Sequence, residues 1–545
     1  MTGNAKASRF RPSRPWRDAV LYQVYPKSFA DANGDGIGDI PGMVAHLDYI
    51  ASLGVDAVWV SPWYASPMND GGYDISDYRQ VDPIFGTNDD AVAFIDGCHQ
   101  RGLGVVMDLV ANHCSIEHEW FRAALRSPAG SPERQWFYFL DGRGENGAEP
   151  PTDWISVFGG SAWTHESAVG GAGGQWYLNL FDSSQPDLNW GNPLVAEAFD
   201  EIIRFWCDLG VDGFRLDAIP AIGKMEPFGN IGFAPGQQWD APHWPPMPFW
   251  DADGVHEVMR RWRTIGDSYD PPRHLIGEVL VGSNERLAHY VRPDELHSVF
   301  SIGVSTVTWD ADALSRFITD MSNAIAPTSS WLTWTLSSHD EVRTASRYTD
   351  AAVTGLVDDE LGRARSRALH MVLFALPGAA CLYQGEELGL SQVTDIPDEL
   401  LQDPIFLRTG DRRLSRDGCR VPMPWTRDGA TLGFNDGRRS WLPQPPEWGV
   451  LSVEQQELNS TSFLRFMREV IALRQSLVAT LPLAGRCEES NGILVIERGA
   501  TFRCLLNAGT TSAPLPAGWR RLLSSQALDE EGLLSPNGAV WLARG

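Results

Sequence analysis

Eight short apolar runs, rich in β-branched residues, recur along the chain: VLYQVYP (20–26), VDAVWVSP (55–62), LGVVMDLVANH (103–113), VDGFRLDAI (211–219), HLIGEVL (274–280), HSVFSIG (297–303), WLTWTLSSHD (331–340) and AACLYQGEE (379–387). Stretches with apolar residues three and four apart lie between them, as in 42–54, 89–102 and 193–210; that spacing predicts amphipathic helices. Strand and helix in alternation, eight times over, is what a closed parallel (β/α)8 barrel needs. The expected class is therefore α/β, a TIM barrel.

The chain of 545 residues exceeds the roughly 250 that such a barrel takes, and the rhythm breaks in two places. Residues 114–190, rich in Gly, Pro, Ser and Trp, read as an irregular domain inserted after the third strand. A second irregular stretch, about 388–458, follows the eighth run, and loops this long are usually functional or independently packed. The barrel then occupies 1–113 and 191–478, closing with a helix over 459–477. From 479 to 545, runs such as GILVIER (492–498) and FRCLLN (502–507) predict an antiparallel β-domain.

Composition narrows the partners. A net charge of −26 repels nucleic acid and anionic membrane surfaces, and a small neutral substrate fits better. The chain carries 22 Trp, 12 Tyr and 23 Phe, and aromatic faces suit the C–H faces of sugars as well as cores. Cys98, Cys114, Cys207, Cys381, Cys419, Cys487 and Cys504 are odd in number, with no CxxC pair, which argues against a disulfide framework and for a reducing compartment. The basic N-terminal stretch 1–16 has no apolar segment behind it, so a cytoplasmic protein without a membrane span is expected, monomeric or homodimeric.

In such barrels the reacting groups sit at the C-terminal ends of the strands. The third run ends in Asp108, Asn112 and His113, the fourth in Arg215 and Asp217, the fifth in Glu278, and the seventh in His339 and Asp340. DLVANH (108–113), GFRLDAI (213–219), GEVL (277–280) and SSHDEVR (337–343), in this order, resemble the signatures of the α-amylase superfamily, glycoside hydrolase family thirteen. QPDLNW (185–190) is similar to the signature of its oligo-1,6-glucosidase and α-glucosidase subfamily.

The resemblance implies a retaining glycosidase with Asp217 as nucleophile and Glu278 as general acid and base, a pair such chemistry requires. Arg215 is expected to hold Asp217 ionised, and Val279 and Leu280 to keep Glu278 protonated by apolar company. Asp340, His113 and His339 would bind sugar hydroxyls. In NDGGYDISDYR (69–79), Asp70 matches the carboxylate that family members place against the terminal 4-hydroxyl, and Tyr73 the ring that stacks on glucose. Its arginine partner falls in SRDGCRVPMPW (415–425), where Arg416 is the assignment and Arg420 the neighbour to which the alignment could slip. Ala218, after the nucleophile, goes in this subfamily with α-1,4 rather than α-1,6 preference.

Read together, these residues describe an exo-acting α-glucosidase that releases glucose from maltose and short α-1,4-linked oligosaccharides. The alternatives are α-glucosyl transfer to sugars or small alcohols, oligo-1,6-glucosidase activity, and, from a different class, a non-catalytic scaffold of the same fold. DANGDGIGD (31–39) places oxygens at Asp31, Asn33, Asp35 and Asp39, with the Ile37 carbonyl between them, a pattern for one structural divalent cation, Ca2+ or Mg2+. No organic cofactor is expected.

Overall fold

The computed structural model describes residues 14–234, 236–349, 358–437, 439–483 and 485–544. Residues 1–13, most of the basic N-terminal stretch, lie outside them. Each of the eight runs forms one strand: β1 (Val20–Val24), β2 (Ala57–Val60), β3 (Gly104–Val110), β4 (Gly213–Asp217), β5 (His274–Gly277), β6 (Ser298–Phe300), β7 (Trp331–Thr335) and β8 (Ala379–Tyr383). They pair in parallel in sequence order, and β8 returns to β1 to close the barrel. Their residues are buried, with Trp331 alone half-buried. Helices on the outside and packed side chains inside leave no solvent face, which is why the runs are apolar throughout rather than alternating.

Register places the polar exceptions. Asp108 on β3 pairs with Arg215 on β4, and Val110 with Asp217. Arg215 and Asp217 share a strand face because side chains repeat every second residue, so three charged groups gather at one level.

The helices start where their capping residues sit. Asn88–Gln100 opens with a capping box between Thr87 and Asp90. Pro193–Leu209 has Asn192 as its cap, proline at its first position, and Gly210 in the left-handed conformation (φ 113°) at its end. The helix expected over 42–54 is instead two, Ile40–Ala45 and Leu47–Ser52. The His46 ring bonds the Gly42 carbonyl (2.9 Å) that its own backbone N–H would use in a continuous helix.

Within 114–190 the structure is more regular than its composition suggests. A helix, Glu119–Arg126, precedes a three-stranded antiparallel sheet of Phe139–Asp141, Gln175–Leu178 and Trp163–His165. A buried Arg134–Glu166 pair (2.5 Å) fastens it. The stretch 388–458 is a series of short helical turns without a sheet. At the C-terminus, β9 (Gly485–Ser490), β10 (Ile493–Arg498), β11 (Phe502–Asn507), β12 (Arg520–Ser524) and β13 (Ala539–Ala543) form an antiparallel sheet in the order β9-β10-β11-β13-β12. It docks on the barrel helix Asp359–Ala375, where the buried Trp541 indole donates to the Met371 carbonyl (3.0 Å).

The seven cysteines are unpaired, and all but Cys487 are buried. Among the described residues no helix is long and apolar enough to cross a membrane.

The last barrel helix runs Phe463–Ser476 rather than 459–477, because the Ser462 hydroxyl accepts from the Arg465 N–H and sets its start. Ser462→Ala should cost about 1 kcal/mol, read as a fall of ~1–2 °C in Tm with the far-ultraviolet spectrum unchanged.

Candidate active site

Arg215 is buried at the centre of the carboxyl ends of the strands. Its Nη1 donates to Asp108 Oδ1 (2.5 Å) and to Asp217 Oδ1 (2.6 Å), and its Nη2 lies 2.7 Å from Glu278 Oε2. One guanidinium thus faces three carboxyl groups, and it cannot neutralise them all. Burial lifts Asp108 to about 6, against the pull of Arg215 and the Trp59 indole. Burial also lifts Asp217 well above the usual carboxylate range, opposed by Arg215 and reinforced by Glu278 and Asp108. Burial thus favours proton retention at Asp108 and Asp217, against the pull of Arg215.

This corrects the expected division of labour. Arg215 does not serve Asp217 alone, and Glu278 has charged and polar contacts beside the apolar Leu280 that shares its pocket. Glu278 Oε2 accepts from Arg215 and from the Ala218 N–H (2.9 Å), while Val279 turns into the core. Ala218 makes that contact from a left-handed backbone (φ 40°). A side chain larger than glycine is strained there, most of all a β-branched one.

A second cluster seals the inner end. Arg416 donates to Asp70 (2.8 Å), Asp340 (3.0 Å) and Asp403 (2.9 and 3.0 Å). Arg420 is 2.7 Å from Asp340 and also donates to the His339 carbonyl. Arg416 is therefore the partner of Asp70, and Arg420 supports Asp340 from behind. Burial raises the Asp340 carboxyl, but His339, Arg416, Arg420 and Arg215 overcome it and hold Asp340 well below the ordinary range.

Asp70 and Tyr73 reach the site through a tight turn. Gly71 has φ 59°, and a Cβ there would lie 2.7 Å from the Tyr25 hydroxyl. Asp74 anchors the turn by accepting from the Asn69 and Asp70 N–H groups and the Ser66 hydroxyl.

The two histidines are held in defined states. Gln23 donates to His339 Nδ1 (2.7 Å), which puts the His339 proton on Nε2, facing Tyr73 Oη (2.7 Å) and Asp340 (3.1 Å). The Tyr73 hydroxyl in turn donates to Asp108 Oδ2 (3.2 Å). Gln185 donates to Asp70 (3.0 Å) and meets His113 Nε2 at 3.1 Å, tying the two together. Behind them Lys224 pairs with Asp187 (2.8 Å), both fully buried, and donates to Asn112.

Asp70, Tyr73, His113, Asp217, Ala218, Glu278, Asp340 and Arg416 line one pocket of about 190 Å³. That is below the ~300–1,000 Å³ of sites that take drug-sized ligands. Arg215 and His339 lie beneath its floor. The structure adds wall residues that the sequence reading passed over, among them Phe158 under the Arg416 guanidinium, Phe181 against His113, and Trp239 and Trp250. Three positioning residues were also passed over, although each leaves a trace. Gln23 is the one polar residue inside an apolar strand, Gln185 opens the QPDLNW motif, and Asp403 precedes a proline at a helix start.

The loop 31–39 lies apart from this pocket. Asp31 Oδ1, Asn33 Oδ1 and Asp35 Oδ1 accept from Gly34, Asp35 and Ile37 N–H groups, and Asp39 caps the helix from Ile40 through Gly42 while accepting from Ala32 and Asn33. Oxygen donors each with a second lone pair suit a hard cation. Among the described residues, however, no three His, Cys, Asp or Glu side chains stand gathered as a ready ligand set.

Comparison with known proteins agrees with this arrangement. Residues 23–481 match the family Alpha amylase, catalytic domain. The chain belongs to the alpha-amylase family. Within the family it falls in the oligo-1,6-glucosidase and α-glucosidase subfamily, and it is a glycoside hydrolase. A probable alpha-glucosidase of Rhizobium meliloti (strain 1021) is 37% identical, over 98% of each chain. An oligo-1,6-glucosidase of Heyndrickxia coagulans is 33% identical over 85% of each. The crystal structure of XgtA, an alpha-glucosyl transfer enzyme, superposes with a TM-score of 0.84 at 34% identity, covering 97% of this chain and 99% of that one.

Burial makes the site histidines neutral. His113 is lowered to about 3 by burial and then by Lys224, and His339 to about 3 by burial and by Arg420, Arg215 and Arg416. His118 and His297 are lowered to about 4, both chiefly by burial. In the unfolded chain each takes up its proton near pH 6.5, so stability is whole above that pH and is lost as pH falls toward 4 and 3. Asp74 and Asp108, lifted to about 6 mainly by burial, and other buried carboxyl groups such as Asp70, Asp187 and Asp217, raised by the same cause, act in the opposite sense, so the histidine contribution is read by difference. The urea midpoint of the wild type should fall more between pH 7 and pH 5 than that of His297→Gln; an equal fall in both would contradict neutral burial of His297.

Proposed function

We propose that this chain is a retaining, exo-acting α-glucosidase that releases α-glucose from the non-reducing end of maltose and short α-1,4-linked oligosaccharides. The Arg416 bridge carries the reading. By joining Asp70, Asp340 and Asp403 it blocks the far side of the pocket, so one terminal ring enters and a polymer cannot thread through. Asp70, Asp340, His113 and the His339–Tyr73 pair surround that ring with donors and acceptors for its hydroxyls.

Asp217 attacks the anomeric carbon as Glu278 gives the cluster's proton to the leaving oxygen. Arg215 touches both carboxyl groups, so negative charge that leaves Asp217 on bond formation is replaced at Glu278 beside the same guanidinium. Water then attacks the anomeric carbon and passes a proton to Glu278 while the bond to Asp217 breaks with its electron pair returning to that carboxylate, which releases glucose with the configuration it entered. Ala218, small and at the pocket wall, supports α-1,4 over α-1,6 linkages. Transfer of glucose to another acceptor shares the same intermediate, and the likeness to an alpha-glucosyl transfer enzyme favours it as a second activity. The intact carboxyl cluster speaks against a non-catalytic scaffold.

Asp217→Asn should lower glucose release from 4-nitrophenyl α-glucoside by about a thousandfold or more, and nuclear magnetic resonance of the wild-type reaction should show α-glucose first. Retained activity in the variant, or β-glucose as first product, overturns the mechanism. Faster turnover of isomaltose than of maltose overturns the linkage preference.

We also propose that Asp31, Asn33, Asp35, Asp39 and the Ile37 carbonyl hold one Ca2+ or Mg2+, which would brace the loop beside Asn435, whose amide donates to Asp31 (2.7 Å). Chelation should then lower Tm, and either ion should restore it by mass action. Ion-free protein with an unchanged Tm removes the proposal.

A further inference from the structure

A second cleft, of about 320 Å³, opens between the helices Val255–Asp267 and Asn284–His289, and it shares no lining residue with the sugar pocket. Asp253, His256, Arg260, Arg286, His289 and Arg292 line it. The chain has 70 acidic residues against 44 lysines and arginines, so three guanidiniums and two imidazoles around one cavity run against its overall charge. Helical spacing gathers them. His256 and Arg260 stand four apart on the first helix, Arg286 and His289 three apart on the second, and residues so spaced share a helix face.

The cleft has an ordered back. Glu295, fully buried, accepts from His256 Nδ1 (2.7 Å) and Arg260 (2.9 Å), and Arg292 approaches it at 3.5 Å. Arg286 is taken up by Asp251 (2.8 and 3.0 Å) and Asp253 (3.2 Å). Asp251 ends the loop after β4, which is tied further up to the segment inserted after β3, where Asp153 accepts three successive N–H groups from Ile231, Gly232 and Phe233 (2.9, 2.7 and 3.0 Å).

One buried carboxylate thus serves two guanidiniums and an imidazole. Arg260 and Arg292 are 38% and 42% exposed, and each meets Glu295 through Nη1 alone. Asp253, the one acidic residue of the lining, is engaged by Arg286. Burial, then Arg292, Arg286 and His256, push His289 below the ordinary histidine range, and the positive field that discourages a proton there favours an anion. The His256 ring is buried, and its Nε2 has no hydrogen-bond partner among the described residues. A carboxylate only accepts, so the Nδ1 proton faces Glu295 and the neutral ring keeps a lone pair at Nε2. A buried polar atom left without a partner costs free energy that a bound donor would recover. A metal ion is disfavoured by the three guanidiniums.

We propose that this cleft is a binding site for inorganic phosphate, separate from the sugar pocket. Its anionic oxygens pair with Arg260 and Arg292. Hydrogen phosphate also brings an O–H for His256 Nε2, which sulfate, of the same shape, lacks.

Calorimetric titration of the full chain with phosphate and with sulfate, in phosphate-free buffer at neutral pH and constant ionic strength, tests the site. Phosphate should bind once per chain with a Kd of about 1 mM or tighter, and sulfate about fivefold more weakly for want of one hydrogen bond. Arg260→Gln and Arg292→Gln should each weaken phosphate binding by about tenfold, with turnover of 4-nitrophenyl α-glucoside unchanged. Absence of phosphate binding, equal affinity for sulfate, or an affinity unchanged in both variants overturns the proposal. Displacement of the bound phosphate by glucose overturns it as well, because the anion would then sit in the sugar pocket.

Discussion

The whole site depends on one guanidinium shared among three carboxyl groups. Arg215 stands on a strand with Asp108 beside it by register, Asp217 two residues ahead on the same face, and Glu278 reaching in from the next strand. A buried charge is tolerated only where it is paired and hydrogen-bonded, and here too little positive charge is provided for the negative. Burial, together with that shortage, favours proton retention at Asp108 and Asp217. The barrel backbone fixes the positions from which all four side chains meet.

Around this core the loops divide the remaining work. Arg416, delivered by the stretch after the eighth strand, gathers carboxylates from three other places in the sequence. Like Arg215 it faces three carboxyl groups, but here Arg420 adds a second positive charge at Asp340. The chain from Gln23 through His339 and Tyr73 to Asp108 connects the two centres, so the orientation of the hydroxyl-binding groups is coupled to the charge of the catalytic ones.

Much of this could be read in the residues. Strand count and order follow from the recurrence of apolar runs, and the strand-end positions of Asp217, Glu278 and Asp340 follow from where each run closes. Motif order placed Arg416 within one helical turn of its alternative, but only three-dimensional proximity separates Arg416 from Arg420, since both reach Asp340. Protonation was less legible. Val279 adjoins Glu278 in sequence but is buried in the core, whereas Leu280 lines the same pocket, and the polar groups that touch Glu278 come from β4 and the turn after it. The sheet within 114–190 was hidden for a related reason: its strands are three or four residues long, too short for a period to show. The loop after β4 carries no periodic signal at all, because its tryptophans are ordered by one another.

The grip of Asp153 on three backbone N–H groups has a consequence for how this family diversifies. Two segments far apart in the chain, one inserted after the third strand and one following the fourth, form a single wall of the pocket through that carboxylate. Exchange of either segment alone with a relative would bring a backbone shaped for a different anchor. The two segments therefore hold their shape jointly, and loss of the Asp153 carboxylate would free the backbone of the loop after β4 from the inserted domain.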